Sequence, residues 1–346
     1  MRDQTNFKTV HGILSKERFR SLLMLRAECL KGFRTFFEQQ GFIEATTASI
    51  VNIAGSCENP HASFPLEVYG NQAYLSQSAQ LQLEPLVLRL HSKVFSQSNS
   101  FRAENYDDPE APGRRLSEFT LIEAEMPYVG LSADQAFHSL VKTIELLIKH
   151  TIESVLGQCA NQLEVLGGDT TWLARIVREP FRWLEYSKAL TLLGASAPSD
   201  FGTKDERKIL TRFGDVPTFI FGQPAQQKFF NIKRHPSGDS CYSADLLMPP
   251  LGECVGAGLR EEETANLKAN LNDSRLGDFL RARGLKPEET FRPYFEIIDQ
   301  EQPTLRGGFG VGFERFVAAL IGTNDIFETL LDTKVAAANR IGTSRR

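Results

Sequence analysis

The sequence has no excess of basic charge and no long apolar run. Lys and Arg number 39 against 43 Asp and Glu, which gives a formal net charge of -4. A chain of this kind lacks the basic field that dominates binding to nucleic acids. It contains no run of about 18 apolar residues, and its first six residues lack the apolar core of a signal peptide. We therefore expect a cytoplasmic protein that does not contact a membrane.

Cysteine and histidine are also sparse. The five cysteines are odd in number and contain no C-x-x-C pair, and the six histidines are scattered. This pattern argues against a disulfide framework or a zinc site and is typical of reduced thiols in the cytosol. A phosphate-binding P-loop is absent as well. What the chain does have is length: 346 residues, 41% of them hydrophobic, suffice for one large core or two smaller ones.

The densest group of charges surrounds a predicted hairpin. An apolar segment beginning at Val94 leads to Phe101, an acidic loop with Pro and Gly follows, and Phe119–Ile122 returns. Buried charges are costly unless they pair with one another or with a ligand. Two arginines and spaced carboxylates suit a polyphosphate, a metal and an amine together, although a salt-bridged surface hairpin is the alternative. The charged residues are Arg102, Glu104, Arg114, Glu118, Glu123 and Glu125.

The longer string resembles motif 2 of class II aminoacyl-tRNA synthetases. It runs F-R-x-E, a loop, R-x-L-x-E-F and then E-x-E, in the form used by the aspartyl and asparaginyl group. The resemblance implies an α+β fold, with an antiparallel sheet flanked by helices, rather than a doubly wound nucleotide fold. It also implies a ligase that uses ATP and Mg²⁺ to form an aminoacyl-adenylate.

The first part of the chain resembles motif 1, which builds the dimer interface in that family. Apolar residues recur at helical spacing from about Lys16 to Phe37, Gly41 ends the helix, and residues 42–47 form a strand pattern. Ala48 stands at the family's motif 1 proline, and a homodimer is still expected. We predict a leader at 1–15 and a catalytic domain at 16–346, with a mainly helical segment at about 131–195.

A glutamine-rich segment at residues 74–84 resembles the amino-acid pocket of aspartyl and asparaginyl synthetases. The resemblance assigns Ser78 and Gln80 to the substrate's α-amino group. Aspartyl enzymes carry a lysine where Leu83 stands here, and Glu84 is closer to the asparaginyl pattern. A carboxylate accepts an N–H from an amide but repels a second carboxylate. On this basis Glu84 favours an amide substrate.

Further substrate residues follow from the same resemblance. Glu58 would hold the α-ammonium, although by itself it could be a solvated loop carboxylate. Arg260 would bind the side-chain oxygen of aspartate or asparagine, since a planar guanidinium can meet a carboxylate or an amide oxygen. The family's G-G-S-Q is replaced by Gly256–Leu259, which makes the pocket less polar. The identity of the substrate side chain stays open.

Two acids are candidate metal ligands. Asp245 and Glu253 lie eight positions apart across a turn and can face each other from neighbouring strands. Mg²⁺ prefers such hard oxygen ligands together with substrate phosphates, and the context G-E-x-x-G-x-x-x-R-E resembles the family's metal segment. Solvated edge residues are the alternative. Nearby, Val216–Phe221 has the pattern of a buried strand, and Gln223 stands at a family tyrosine.

Motif 3 is resembled by the glycine-rich stretch 307–317, in which Arg315 opens a helix and Arg306 replaces a family histidine. The resemblance makes Arg102 and Arg315 catalytic through charge neutralisation. It places the adenine between Phe119 and Arg315, its amino edge at Glu104, and the outer phosphates at Arg114. The implied ATP-binding residues are Arg102, Glu104, Arg114, Leu116, Phe119, Glu253, Gly312 and Arg315.

The acceptor is the remaining question. Only a short leader precedes motif 1, and the loop after Glu104 contains Asp107, Asp108 and Glu110, which would repel tRNA phosphates. We therefore predict activation of aspartate, asparagine or a close analogue, followed by transfer to ammonia or a small amine, as in asparagine-synthetase-like paralogues. One alternative is a truncated synthetase paralogue that aminoacylates tRNA or a protein. Another is a non-catalytic regulatory subunit, which the retained arginines and acids disfavour.

Overall fold

The computed structural model describes residues 6–9, 12–52, 60–103, 113–194 and 201–331, with side chains from Ser15 onward. The strands are β1 Asn6–Thr9, β2 Gly12–Ser15, β3 Ile43–Glu44, β4 Ile50–Val51, β5 Pro65–Val68, β6 Asn71–Leu75, β7 Val94–Phe101, β8 Glu118–Pro127, β9 Arg182–Glu185, β10 Thr218–Phe221, β11 Ser243–Met248, β12 Gly252–Arg260 and β13 Arg306–Gly312. The α-helices are α1 Lys16–Gln39, α2 Gln80–Leu90, α3 Ala133–Leu166, α4 Thr170–Arg178, α5 Tyr186–Leu193, α6 Thr203–Arg212, α7 Thr264–Asn272, α8 Arg275–Ala282, α9 Pro287–Thr290, α10 Arg292–Gln300 and α11 Phe313–Ile321.

An eight-stranded sheet organises the chain, in the order β3-β7-β8-β13-β12-β11-β10-β9. The six inner strands pair antiparallel, and the end strands β3 and β9 each pair parallel with their neighbours. A three-stranded sheet, β4-β6-β5, and the β1-β2 hairpin are separate. The predicted α+β class is confirmed, and the predicted hairpin is β7-β8, with Phe101 opposite Glu118.

Two long helices cover one face of this sheet. Helix α1 begins after Ser15, whose side chain accepts from the Arg18 N–H, and it buries the apolar stripe that the sequence predicts. Helix α3 begins with a capping box formed by Ser132 and Gln135. Aromatic residues join the layers: the Phe37 and Phe95 rings stack with centroids 4.4 Å apart. This packing holds β7, β8 and β13 in fixed register.

The segment 131–195 is mainly helical, as predicted, but it also contains the strand β9. Sequence patterning did not indicate this strand, because its pairing partner is the distant strand β10. A serine near the start of a helical pattern is a candidate N-cap, but Ser187 does not have this role. Helix α5 already includes Ser187 and is preceded by Glu185, to which the serine hydroxyl donates a 2.7 Å hydrogen bond. The carboxylate satisfies this hydroxyl, so it does not cap the helix N-terminus.

The four cysteines within the described ranges are buried and form no disulfide with one another; they are Cys29, Cys159, Cys241 and Cys254. None of the helices in those ranges combines the length and apolar character that crossing a bilayer requires.

Gly308 on β13 is a close-packing position between β8 and β12. A Cβ atom there would overlap the carboxyl group of Glu125 and the backbone oxygen of Ala124. We expect Gly308→Ala to lower the free energy of unfolding by about 1–3 kcal/mol, measured by urea denaturation. The control is Gly157→Ala, on an exposed face of α3 with open space around it, which should be neutral or slightly stabilising. Equal stability of both variants would contradict the expected crowding.

Candidate active site

A cavity of about 370 Å³ opens over the middle of the large sheet, against strands β8, β11, β12 and β13. It brings together ten of the residues that the sequence predicted. These are Gln80, Arg102, Arg114, Leu116, Phe119, Asp245, Glu253, Arg260, Gly312 and Arg315. Ser78 and Glu84 are not among the lining residues. Glu58 and Glu104, and the acidic loop with Asp107, Asp108 and Glu110, lie outside the described residues.

Arg102 and Phe119 form one wall of the cavity. Arg102 directly follows β7, where its backbone N–H donates to the oxygen of Ser117 at 2.9 Å. Its guanidinium carbon lies 4.9 Å from the centroid of the Phe119 ring. A cation held over an aromatic face is attracted by the ring's negative surface. The hairpin therefore positions the arginine, and this arginine covers a ring predicted to stack on adenine.

Arg315 approaches from the opposite side. It lies in the first turn of α11, immediately after the glycine-rich strand β13. One of its guanidinium nitrogens donates to the backbone oxygen of Glu253 at 2.5 Å and lies 3.9 Å from the same residue's carboxylate. The neighbouring Glu314 is buried instead, where it accepts from Arg26 at 3.1 Å and from the Thr120 N–H at 2.9 Å. Glu314 thus ties α11 to α1 and β8.

Arg114 is held by helix α6, to which sequence analysis assigned no chemistry. Its guanidinium donates to Glu206 at 2.8 Å, to the Leu251 backbone oxygen at 2.6 Å and to the Thr203 hydroxyl. Burial, followed by the nearby Glu253 carboxylate, raises the pKa of Glu206 to about 7, against the lowering effects of Arg315 and Arg114. In the sequence, Glu206 is only a carboxylate in the first turn of a helix that is otherwise polar, so nothing there marked it as a partner of Arg114.

The pKa of Glu206 predicts a pH-dependent stability. Because the folded pKa is raised above the ordinary value of 4.5, the folded state binds the proton more tightly than the unfolded state. Its contribution to stability is complete below the unfolded pKa and is lost as the pH rises through about 7. The slope for this group is at most about 1.4 kcal/mol per pH unit.

We expect Glu206→Gln to flatten part of the stability decline between about pH 5 and 7, measured by urea denaturation at several pH values. The exposed Glu289, paired with Lys286 on the surface, provides Glu289→Gln as a control that should leave this decline unchanged. If both variants decline as steeply as the parent protein, Glu206 is not the group that titrates.

Asp245 and Glu253 converge as predicted, from the adjacent strands β11 and β12. Both carboxylates lie close to Gly256: a Cβ there would be 3.8 Å from an Asp245 oxygen and 3.5 Å from a Glu253 oxygen. Lys228 donates to both Asp245 oxygens at 2.7 and 2.9 Å, and Gln223 donates to one at 2.8 Å. Gln223, at the family tyrosine's place, therefore orients a predicted metal ligand.

These two carboxylates fit Mg²⁺, which takes hard oxygen ligands and completes its shell with water and phosphate oxygens. Within the described ranges no group of three or more His, Cys, Asp or Glu residues has the arrangement of a metal site. A cation held by protein alone is therefore not indicated. The chemistry of the donor set matches a cation that arrives with a nucleotide.

At the amino-acid end, Glu123 is a lining residue to which the sequence prediction gave no role. It accepts from the Ser78 hydroxyl at 2.6 Å and from the Ala79 N–H at 2.7 Å, and burial raises its pKa. Ser78 is therefore bound to Glu123 rather than exposed to the cavity. The side-chain oxygen of Gln80 is buried and has no hydrogen-bond partner among the described residues. Gln80 thus lines the cavity and carries a buried acceptor without a protein partner.

Arg260 reaches the cavity from a buried ionic cluster beneath it. Its Nε lies 3.1 Å from Glu125, to which Nη2 also donates. Burial raises the pKa of Glu125 to about 7, although Arg260 opposes this shift. Behind Arg260, Glu84 is fully buried and binds Arg306 at 2.8 Å. Glu84 therefore lies behind the cavity wall and does not reach the cavity in which the predicted substrate contact would be made.

The wall beside Arg260 is apolar. Ile232 forms a backbone bridge with Arg260 and lines the cavity. A Cβ at Gly258 would lie only 2.7 Å from the Ile232 side chain. The isoleucine therefore occupies the space that the family's serine would need, and the loss of polarity predicted for this segment has a packing explanation.

Comparison with known proteins agrees with this architecture. The family model "tRNA synthetases class II (D, K and N)" matches residues 2–334. The chain belongs to this family. It is 31% identical over 324 residues to an asparagine–tRNA ligase of Streptococcus sanguinis, covering 90% of this chain and 67% of the relative. An asparagine–tRNA ligase of Pelotomaculum thermopropionicum is 32% identical over 317 residues, covering 90% and 68%.

Solved structures of the class II synthetases match as well. Asparaginyl-tRNA synthetase from Pyrococcus horikoshii complexed with asparaginyl-adenylate superposes with a TM-score of 0.78 and 26% identity, covering 91% of this chain and 68% of that one. The chain thus spans about two thirds of the length of these relatives. The predicted family, fold and enzyme class, a ligase that activates an amino acid with ATP, are confirmed.

Proposed function

We propose that this class II synthetase activates aspartate, asparagine or a close analogue and passes the acyl group to ammonia or a small amine. The observation that carries the first half is the convergence of Arg102, Arg315, Asp245 and Glu253 on one cavity that also contains Arg260. Opposite charges suited to a polyphosphate and a guanidinium suited to an amino-acid side chain line the same cavity. This combination supports two substrates bound together.

In the first step a carboxylate oxygen of the amino acid attacks the α-phosphorus of ATP in line. The bond to the β-bridging oxygen breaks, and pyrophosphate leaves with the electron pair. No proton needs to be removed, so positioning and charge neutralisation lower the barrier. Arg102 would neutralise the α-phosphate between the reactants, and Arg315 would hold the leaving phosphates. Mg²⁺, held by Asp245 and Glu253, would supply further neutralisation of phosphate charge.

The α-ammonium would be bound by the Gln80 side-chain oxygen, which lacks a partner among the described residues, and by the Glu123 carboxylate. Both residues line the cavity. Ser78 would act indirectly, since its hydroxyl fixes Glu123 and accepts from the Gln80 N–H at 3.1 Å. Glu58 and Glu104 keep their proposed roles toward the ammonium and the adenine. Arg114 would exchange its bond to Glu206 for an outer phosphate. In the second step the amine nitrogen attacks the acyl carbon, AMP leaves, and the amine releases a proton.

The acceptor is proposed from the acidic residues that follow Glu104, because three carboxylates there would repel a phosphate backbone. A mass-spectrometric screen tests this: the protein is incubated with ATP, single amino acids and either ammonium or small amines. We expect AMP, pyrophosphate and an amide product. Absence of pyrophosphate exchange with every amino acid would overturn the enzyme proposal itself and favour a binding subunit.

Aminoacylation of tRNA is the second candidate, because the matching relatives are named asparagine–tRNA ligases. Radiolabelled amino acid is supplied with total tRNA and, in parallel, with ammonium. Label on tRNA at a rate above that of amide formation would replace the amine proposal. Label on the protein's own lysines or on added protein would indicate a protein acceptor instead.

A homodimer is also proposed. Leu23 and Met24 on α1 and Ile43 on β3 are large apolar side chains exposed on the motif 1 elements. Apolar side chains on an interface-forming segment are consistent with a covered surface. Sedimentation of the purified chain as a monomer at micromolar concentration would count against it.

A further inference from the structure

The Glu84 carboxylate at the base of the cavity is saturated by protein donors. Its Oε2 accepts from Arg306 Nε at 3.0 Å, from Arg306 Nη2 at 2.8 Å and from the Tyr294 hydroxyl at 3.0 Å. Its Oε1 accepts from Asn231 at 2.7 Å. A carboxylate offers about four lone-pair sites, and here four donors fill them. Glu84 is fully buried and does not line the cavity, so its carboxylate is engaged by protein donors rather than by a substrate amide.

Arg306 is the residue that makes this arrangement possible. It stands where the resembled family carries a histidine, and its side chain is fully buried. Two parallel N–H groups hold one oxygen of Glu84, a geometry that fixes orientation as well as charge. A histidine is shorter and offers one N–H toward a given partner, so it would leave part of the carboxylate open. Arginine in place of histidine therefore changes how many donors bind the Glu84 carboxylate. This in turn changes the charge that the cluster places beneath the cavity.

Arg260 is the member of this cluster that faces the cavity. Of Glu84, Glu125, Arg260 and Arg306, only Arg260 is a lining residue. Its bonds to Glu125 use Nε and Nη2, and its Nη1 makes no hydrogen bond to the described residues. A guanidinium donates and never accepts. The cluster therefore presents a donor to the substrate side chain.

Within the described ranges, the residue bridged to the Arg260 backbone is the apolar Ile232. Ile232 and Ala257 line that part of the cavity with apolar groups. The Glu123 carboxylate, which accepts from Ser78 and Ala79, and the unpartnered oxygen of Gln80 are the groups proposed for the α-ammonium. An amide NH₂ placed at Arg260 would lose its hydrogen bonds to water without replacement. Burying such an unpaired donor is unfavourable, whereas a carboxylate would find donors.

We propose that Arg306, by saturating Glu84, selects an amino acid with an acidic side chain, of the aspartate type, over its amide. The inference rests on the proposed adenylate-forming function and narrows its substrate class. It reverses the sequence-based expectation that Glu84 favours an amide substrate, because the Glu84 carboxylate is bound by donors within the protein. Arg306 is a positioning residue: it acts on substrate through Glu84 and Arg260.

The charge balance of the cluster agrees. Two arginines face two glutamates, so the four side chains sum to zero when all are charged. Burial raises the pKa of Glu125, against the lowering effect of Arg260, so this residue adds no excess negative charge to the cluster. Tyr294, from α10, carries the remaining titratable group in contact with Glu84, and its pKa lies far above the ordinary range through burial. An anionic substrate side chain therefore meets no uncompensated negative charge from this cluster.

The test is ATP–pyrophosphate exchange with aspartate and with asparagine on the purified full chain. We expect kcat/KM for aspartate to exceed that for asparagine at least about tenfold. Arg306→Gln should raise KM for aspartate about tenfold or more while changing kcat less, because the released Glu84 charge now opposes the substrate. The double variant Glu84→Gln with Arg306→Gln should restore the preference for aspartate, which a merely structural role would not do.

The outcomes distinguish a failure of the role proposed for Arg306 from a failure of the proposed adenylate-forming function. A parent protein that prefers asparagine overturns the selection by Arg306 and leaves the proposed function standing, whereas no exchange with any amino acid overturns both. Failure of the double variant to restore the preference, with its fold verified by circular dichroism, also overturns the role of Arg306. If Arg306→Gln does not fold, the parent's substrate preference and that of the double variant still decide. Arg281→Gln, which removes a surface arginine paired with Asp278, should leave the preference unchanged.

Discussion

Replacement of Arg102 by alanine is expected to reduce ATP–pyrophosphate exchange by at least about a thousandfold. The arginine lines the cavity beside Phe119 and is fixed by the end of β7. Charge that develops on a phosphorus centre is stabilised best by a donor already in place. Alanine removes this donor and leaves a solvent-filled space. The change should appear mainly in kcat.

The exchange assay needs a control for the loss of an arginine stacked on a phenylalanine. Arg182 provides it, because its guanidinium lies 5.0 Å from the ring centroid of Phe213, and neither residue lines the cavity. Arg182→Ala should retain exchange close to that of the parent protein. If Arg102→Ala keeps exchange within about fivefold of the parent while folding normally, the proposed role of Arg102 is wrong.

The largest expected effect on stability follows from Arg306→Ala. We expect the free energy of unfolding to fall by about 3–5 kcal/mol, because the substitution leaves the Glu84 carboxylate buried without its bidentate partner. Both side chains of the pair are fully buried and lie 2.8 Å apart. Tyr294 and Asn231 would still donate to Glu84, but neither carries a charge.

Urea denaturation of Arg306→Ala measures this difference, with Arg281→Ala as the matched control. Arg281 pairs with Asp278 at 2.6 Å on the surface, where the side chains are 44% and 79% exposed. Such an exposed pair contributes at most about 1 kcal/mol. Comparable losses in the two variants would show that burial does not determine the strength of the Arg306–Glu84 interaction.

Local patterns predicted the elements that carry the site. Two apolar segments and the turn residues between them identified β7-β8, and the helical spacing after Lys16 identified α1. The convergence of Asp245 and Glu253 near Gly256 followed from a turn of suitable length between two strands. These inferences needed only neighbouring residues, and the structure agrees with them.

The environment of Glu84 could not be predicted in the same way. Its partners come from α10, from β13 and from the segment after β10, and Arg306 lies 222 positions away in the chain. The sequence shows that a glutamate stands in the pocket motif, but it does not show whether the carboxylate faces a ligand or an internal arginine. Glu206 was missed for a related reason, since only the packing of α6 brings it to Arg114. Long-range packing decides both cases.

The acidic wall of the cavity has internal counter-ions. Lys228 lies 2.7 Å from Asp245, Arg114 lies 2.8 Å from Glu206, and Arg315 lies 3.9 Å from Glu253. Carboxylates gathered for a ligand would otherwise repel one another and oppose folding. Because each one already has a cation, the chain can complete its fold before any nucleotide is present. Folding of the protein and binding of its substrates are therefore separate events. The substrates replace ion-pair partners in a site that is already formed.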